Sequence, residues 1–117
     1  MGQFVETVCR ALPASAAIGQ YLRVKLVAGQ LALAGAADVE IGTMDAPAYV
    51  AGQSYAVRLR TAQGTCLMVA AVAIAAGVSV YADANGQVGV TGTNPLIGTS
   101  LAAASGAGSV IEVLRQQ

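Results

Sequence analysis

Few side chains in this sequence could carry out chemistry. There is no histidine among its 117 residues, which excludes Ser-His-Asp and Cys-His relays and removes the commonest metal ligand. The one lysine, Lys25, lies in an alternating segment, so no phosphate-cradling Gly-Lys loop exists. Gly106-Ala107-Gly108 opens like a dinucleotide fingerprint, but Ile111 stands where its third glycine belongs and a strand follows. Asp38 and Glu40 are two residues apart, as an acid–base pair on one strand face would be; a solvated strand face accounts for them more simply. Asp83, Asn85 and Gly86 hint at a calcium loop, yet the glycine comes too early for an EF-hand. A hairpin turn explains them fully. Cys66 lies in an apolar run with no cation beside it, which describes an inert buried thiol. Cys9 and Cys66 are too few and too distant for a zinc site or a disulfide framework, and both are expected to be reduced. No enzyme, metal or cofactor is expected.

Composition points the same way. Apolar residues make up 56% of the chain and charged ones 10%, which is ample apolar surface to offset the entropy of ordering. Aromatics are only 4%, so the core is built from small side chains and part of the stability is expected from association. Six basic residues balance six acidic ones. Such a chain has no field to draw it to nucleic acid or an anionic membrane. The longest apolar stretch, Cys66 to Ala76, is too short to span a bilayer. Met1 to Cys9 does not read as a secretion signal, so synthesis in the cytoplasm is expected.

The elements are strands. Tyr21 to Leu26 alternates in period two, with Leu22, Val24 and Leu26 on one face and Arg23 and Lys25 on the other. Ala28-Gly29-Gln30 turns the chain into Leu31-Ala32-Leu33. Tyr55 to Arg60 alternates again, placing Tyr55, Val57 and Leu59 inward and both arginines outward. Thr65 to Val72 reads as a central strand covered on both faces. Val78 to Tyr81 and Gln87 to Val90 flank Asp83-Ala84-Asn85-Gly86, where Asn-Gly accepts the positive φ of a tight hairpin. Ser109 to Leu114 closes the chain. At most one short helical turn is expected, near Ala70 to Ala76 or Ala102 to Ser105.

An internal repeat runs through these elements. Ala17-Ile18 recurs as Ala73-Ile74, Val24 as Val80, and Ile41-Gly42-Thr43 as Ile97-Gly98-Thr99, all at one spacing, 97 − 41 = 56. Gly52 and Val57 recur as Gly108 and Val113, and Gly29-Gln30-Leu31 echoes Gly86-Gln87-Val88 one residue out of register. The pseudo-repeats cover about 17–60 and 73–116. Two copies closing on each other would leave few free sheet edges. The expectation is an all-β chain: a small β-barrel or jelly-roll-like sandwich of two weak repeats, one β domain over 21–117. Residues 1–20 precede it as an N-terminal arm or edge strand.

The stretch from Ala75 to Val88, its continuation Leu96-Ile97-Gly98-Thr99-Ser100 with the Ala-rich loop to Ser105, and the close at Gly108 to Leu114 resemble a known family. It is that of the small head decoration, or capsid cement, proteins of tailed phages, long catalogued as a domain of unknown function. The resemblance implies a compact β structure, made in the bacterial host, that binds the outside of a shell of phage major capsid protein and stabilises it in the virion. It implies a homodimer or homotrimer and brings no catalytic residues. Other expectations stay open: a spike or fibre-base module of the virion, or a β module binding a small ligand or carbohydrate. Phe4, Val5 and Val8 lie ahead of the repeat and, with Tyr49, are the residues expected at a capsid or subunit interface.

Overall fold

Alternating apolar side chains bounded by glycine turns give ten short strands, and a computed structural model describes them over residues 9–60 and 65–115. The first half holds β1 (Cys9–Pro13), β2 (Arg23–Val27), β3 (Gln30–Leu33), β4 (Gly42–Met44) and β5 (Ser54–Leu59). The second holds β6 (Thr65–Val69), β7 (Ser79–Ala82), β8 (Val88–Gly89), β9 (Leu96–Ser100) and β10 (Val110–Arg115). Each half is an antiparallel sheet, ordered β1-β5-β4-β2-β3 and β6-β10-β9-β7-β8. The fold is all-β, and its two halves repeat one topology.

Both sheets curl until their outer strands touch. Parallel bridges join Ala14 to Leu31 in the first half and Ala70 to Val88 in the second. Each small barrel encloses its own core. Ala14, Ile18, Val24, Leu31, Met44, Ala48 and Val57 fill the first. Ala70, Ile74, Val80, Val88, Ala104 and Val113 stand at the matching places in the second. Met44 alone has a polar counterpart, the buried Ser100, whose hydroxyl donates to the Ala75 carbonyl at 2.7 Å. The copies therefore close each on itself and not on one another, because the alternation in each supplies a complete inward face.

The Ile-Gly-Thr match has a steric cause. A Cβ on Gly42 would collide with the Arg58 carbonyl oxygen, and one on Gly98 with that of Leu114. Only glycine lets β4 approach β5, and β9 approach β10, so closely. The equivalence also begins earlier than residues 17 and 73, since β1 and β6 start at Cys9 and Thr65 and occupy the same edge of their sheets. Residues 9–13 are thus an edge strand paired with β5, Cys9 opposite Arg58 and Pro13 opposite Ser54. Phe4, Val5 and Val8 lie outside the described residues.

Several local expectations change. Thr65 to Val72 is not a central strand. β6 is an edge strand with Cys66 and Met68 buried and Leu67 exposed. The apolar run misleads because Leu67 faces a cleft between the halves. No helical turn forms near Ala70 to Ala76 or Ala102 to Ser105; the short helical turn is at Ala84–Gly86, with Asn85 and Gly86 at φ 59° and 73°. Arg23, read as outward-facing, is fully buried. It does lie on the outer face of its sheet, but the second half covers that face.

Candidate functional site

The residues that could do chemistry do not converge. Asp38 and Glu40 lie in the loop before β4, not on a strand, and their surroundings differ sharply. Asp38 accepts from the Gly35 backbone N–H at 2.7 Å and pairs with Lys25 Nζ at 2.9 Å. Those two contacts, the backbone one first, hold its carboxyl below the ordinary carboxylate value. Glu40 is buried, contrary to a solvated face, and sits between Arg23 and Arg115. Asp83 accepts from the Ala84 N–H at 2.7 Å, as the start of a turn does. Among the described residues no group of three His, Cys, Asp or Glu side chains could hold a metal ion, and no helix is long and apolar enough to cross a membrane.

What the halves build together is a polar seam. Arg23 Nε donates to the Gln87 carbonyl at 3.0 Å and its Nη2 to the Asp83 carbonyl at 2.7 Å, both across the seam. Further contacts to the Gly35 and Asp38 carbonyls, and to Glu40 Oε1 at 3.6 Å, complete its shell. Burial pulls the Arg23 guanidinium below its ordinary value, and Glu40 counters that. From the second half Arg115 pairs with Glu40 and points Nη1 at the Cys66 sulfur, 3.8 Å away. Burial pushes the Cys66 thiol up, the opposite of what a nucleophile needs. The Gly86 N–H donates to the Ala34 carbonyl at 2.8 Å and completes the junction.

This network belongs to one place only. The positions equivalent to Arg23, Glu40 and Arg115 are Ser79, Leu96 and Leu59. Sequence reading missed it because alternation assigns a charged residue to the outside of its own sheet. The one available signal was that a repeat carried charges in one copy where the other had leucine or serine.

A cleft of about 400 Å³ runs beside the seam, lined by Tyr21, Thr43, Asp45 and Arg58 on one side and Thr65, Leu67 and Glu112 on the other. It is open and mixed in character, and the Cys66 thiol in its lining is buried. Surface contact is the better-equipped property. Tyr49 is 75% exposed beside the half-exposed Val50, in the loop between β4 and β5. The Val50 N–H donates to the Tyr55 hydroxyl at 3.0 Å, which fixes that loop.

A family model described as phage cement protein fits residues 10–115. No curated protein matches.

Proposed function

The chain belongs to the phage cement protein family, a structural component of the phage capsid, and from that premise we propose that it coats the outer surface of the shell and stabilises the lattice of major capsid protein. The observation that carries this reading is the surface itself. Among the described residues, fourteen large apolar side chains are between 37% and 75% exposed, while only 10% of the chain is charged. Such a surface is suited to burial against protein. Many weak contacts repeated over a lattice give firm attachment without any single strong anchor. Tyr49 at its loop tip is a fitting anchor, a rigid amphipathic ring that loses little entropy on binding. Phe4, Val5 and Val8, ahead of β1, are the proposed second contact. The protein acts as a dimer or trimer, without catalysis, nucleic acid or membrane.

Cosedimentation with shells of the neighbouring major capsid protein tests the reading. Saturable binding at a fixed ratio to capsid subunits is expected, weakened by Tyr49→Ser and by deletion of residues 2–8. A longer deletion, through residue 12, would remove most of β1 and open the first barrel, so it cannot report on binding alone. Absence of binding to both immature and expanded shells would overturn the proposal and favour a spike or fibre-base role.

A further inference from the structure

The contact between the halves is not symmetric. The first half offers the outer face around Thr43, and the second offers its β7–β8 hairpin, which sets Asp83, Gly86 and Gln87 against Arg23 and Ala34. Each half possesses both features, so one face and one hairpin remain without a partner. The spare hairpin is β2–β3 in the first half. The spare face surrounds Thr99 in the second.

Burial follows this division. Gly86 is buried in the seam, but its counterpart Gly29 is exposed. Ala82 is fully buried while its counterpart Leu26 is 45% exposed, and Val27, in the place of Asp83, is 51% exposed. Thr43 is buried between Arg23 and Arg58 on the neighbouring strands. Thr99, at the same place, lies half-buried between Ser79 and Leu114.

The residue types change in step. Where the first half has the buried Glu40, with Asp45 and Arg58 lining the cleft beside the seam, the second has Leu96, Leu101 and Leu114, exposed at 45%, 47% and 50%. Where the docked hairpin begins with Asp83, the spare one has Leu26-Val27. Both spare surfaces have exchanged charge for apolar side chains, and they are the two that the seam geometry would bring together. Leu96 on β9, Leu114 on β10 and Leu101 just past β9 add apolar area to the spare face, the kind of surface that a protein partner covers.

We propose that a second copy of this chain occupies these surfaces: the Leu26–Gln30 hairpin of one copy docks on the Thr99 face of the next, repeating between molecules the seam found within one. Contacts of this head-to-tail kind propagate, and they close into a ring when the rotation permits. The intermolecular seam is apolar where the internal one is ionic, so salt should weaken it little. The inference goes beyond shell binding and is tested on the free protein.

The experiment uses sedimentation velocity of the full chain without capsids. Val27→Asp alters the hairpin, and Leu101→Asp with Leu114→Arg alters the face; each introduces the residue already found in the other half. Circular dichroism checks folding, and Leu26→Ser and Leu96→Ser serve in place of any variant that melts early. The wild type is expected to be oligomeric, and each variant to weaken self-association by at least about tenfold. Mixing the two variants should give a one-to-one pair, since one keeps an intact hairpin and the other an intact face. A wild type still monomeric at about 100 μM would overturn the proposal. So would a variant that keeps the full oligomer, or a mixture that stays monomeric. A monomer that nevertheless coats shells would leave the proposed shell binding standing and remove the self-association, and an oligomer that ignores shells would do the reverse.

Discussion

Glu40 and Arg115, 75 positions apart in sequence, form the buried ion pair that fastens the second barrel to the first. Arg23 approaches the same carboxylate from the other side, Nη1 to Oε1 at 3.6 Å. One carboxylate therefore serves two buried guanidiniums, and the surplus positive charge rests on the carbonyls of Gly35, Asp38, Asp83 and Gln87. Each barrel has its own apolar core, so the polar seam decides how the two are set relative to each other.

Removing Glu40 leaves both arginines buried without their counter-ion. Glu40→Leu is expected to lower stability by about 3–5 kcal/mol in urea denaturation. Adding Arg115→Leu, the residue type found at the equivalent Leu59, removes one stranded charge and should recover about 1–3 kcal/mol. A double variant no more stable than the single one would show that Arg115 is not held by Glu40.

Two hairpin glycines separate backbone strain from seam packing. Gly29 and Gly86 have φ of 80° and 73°, so alanine is strained at either. A Cβ on Gly29 meets nothing, while one on Gly86 would lie 2.8 Å from the Arg23 carbonyl oxygen and 3.0 Å from Leu33. Gly29→Ala should cost about 1–2 kcal/mol, and Gly86→Ala a further 1–3 kcal/mol or so from crowding. Equal losses in thermal melts would mean that the second hairpin is not seated against the first barrel.

Much of this fold was legible because it depends on local pattern. The spacing of Ile41-Gly42-Thr43 and Ile97-Gly98-Thr99 gave the repeat, and the Asp83 to Gly86 turn gave a hairpin. Placement of one copy against the other was not legible. Period-two alternation says which side of a strand faces its own core, and on that basis Arg23 points outward, as it does. It cannot say that a second barrel lies there. For the same reason Glu40 read as solvated and Leu67 as internal. Along the proposed capsid-facing surface the limit is different: Tyr49 stands out as a ring in a loop, but no local rule distinguishes an interface tyrosine from one at a core margin.

The two thiols should differ in reactivity. Cys66 is 4% exposed, and burial raises its pKa, with Arg115 only partly opposing that. Cys9 lies on the edge strand β1 and is half-buried. At mildly alkaline pH one thiol per chain is expected to react quickly with a disulfide reagent, and Cys9→Ser should abolish that fast phase. Cys66 should then react only as the second barrel opens, at a rate that rises with urea. Fast labelling of Cys66 in the folded protein would contradict a closed seam.

Acid should release the Lys25–Asp38 contact. The Asp38 carboxyl is held below its ordinary value by the Gly35 N–H and then by Lys25. A depressed folded-state pKa contributes stability above the unfolded value, about pH 4, that is lost as the pH falls through the folded one. The pair is partly exposed, so the effect is small and screened by salt. Asp38→Asn keeps a backbone acceptor and removes the titrating charge. Its stability deficit relative to wild type should be constant from about pH 7 to about pH 5 and shrink below about pH 4. Melting curves for both proteins at low and high salt would check this, and a deficit that grew on acidification would reverse the assigned sign.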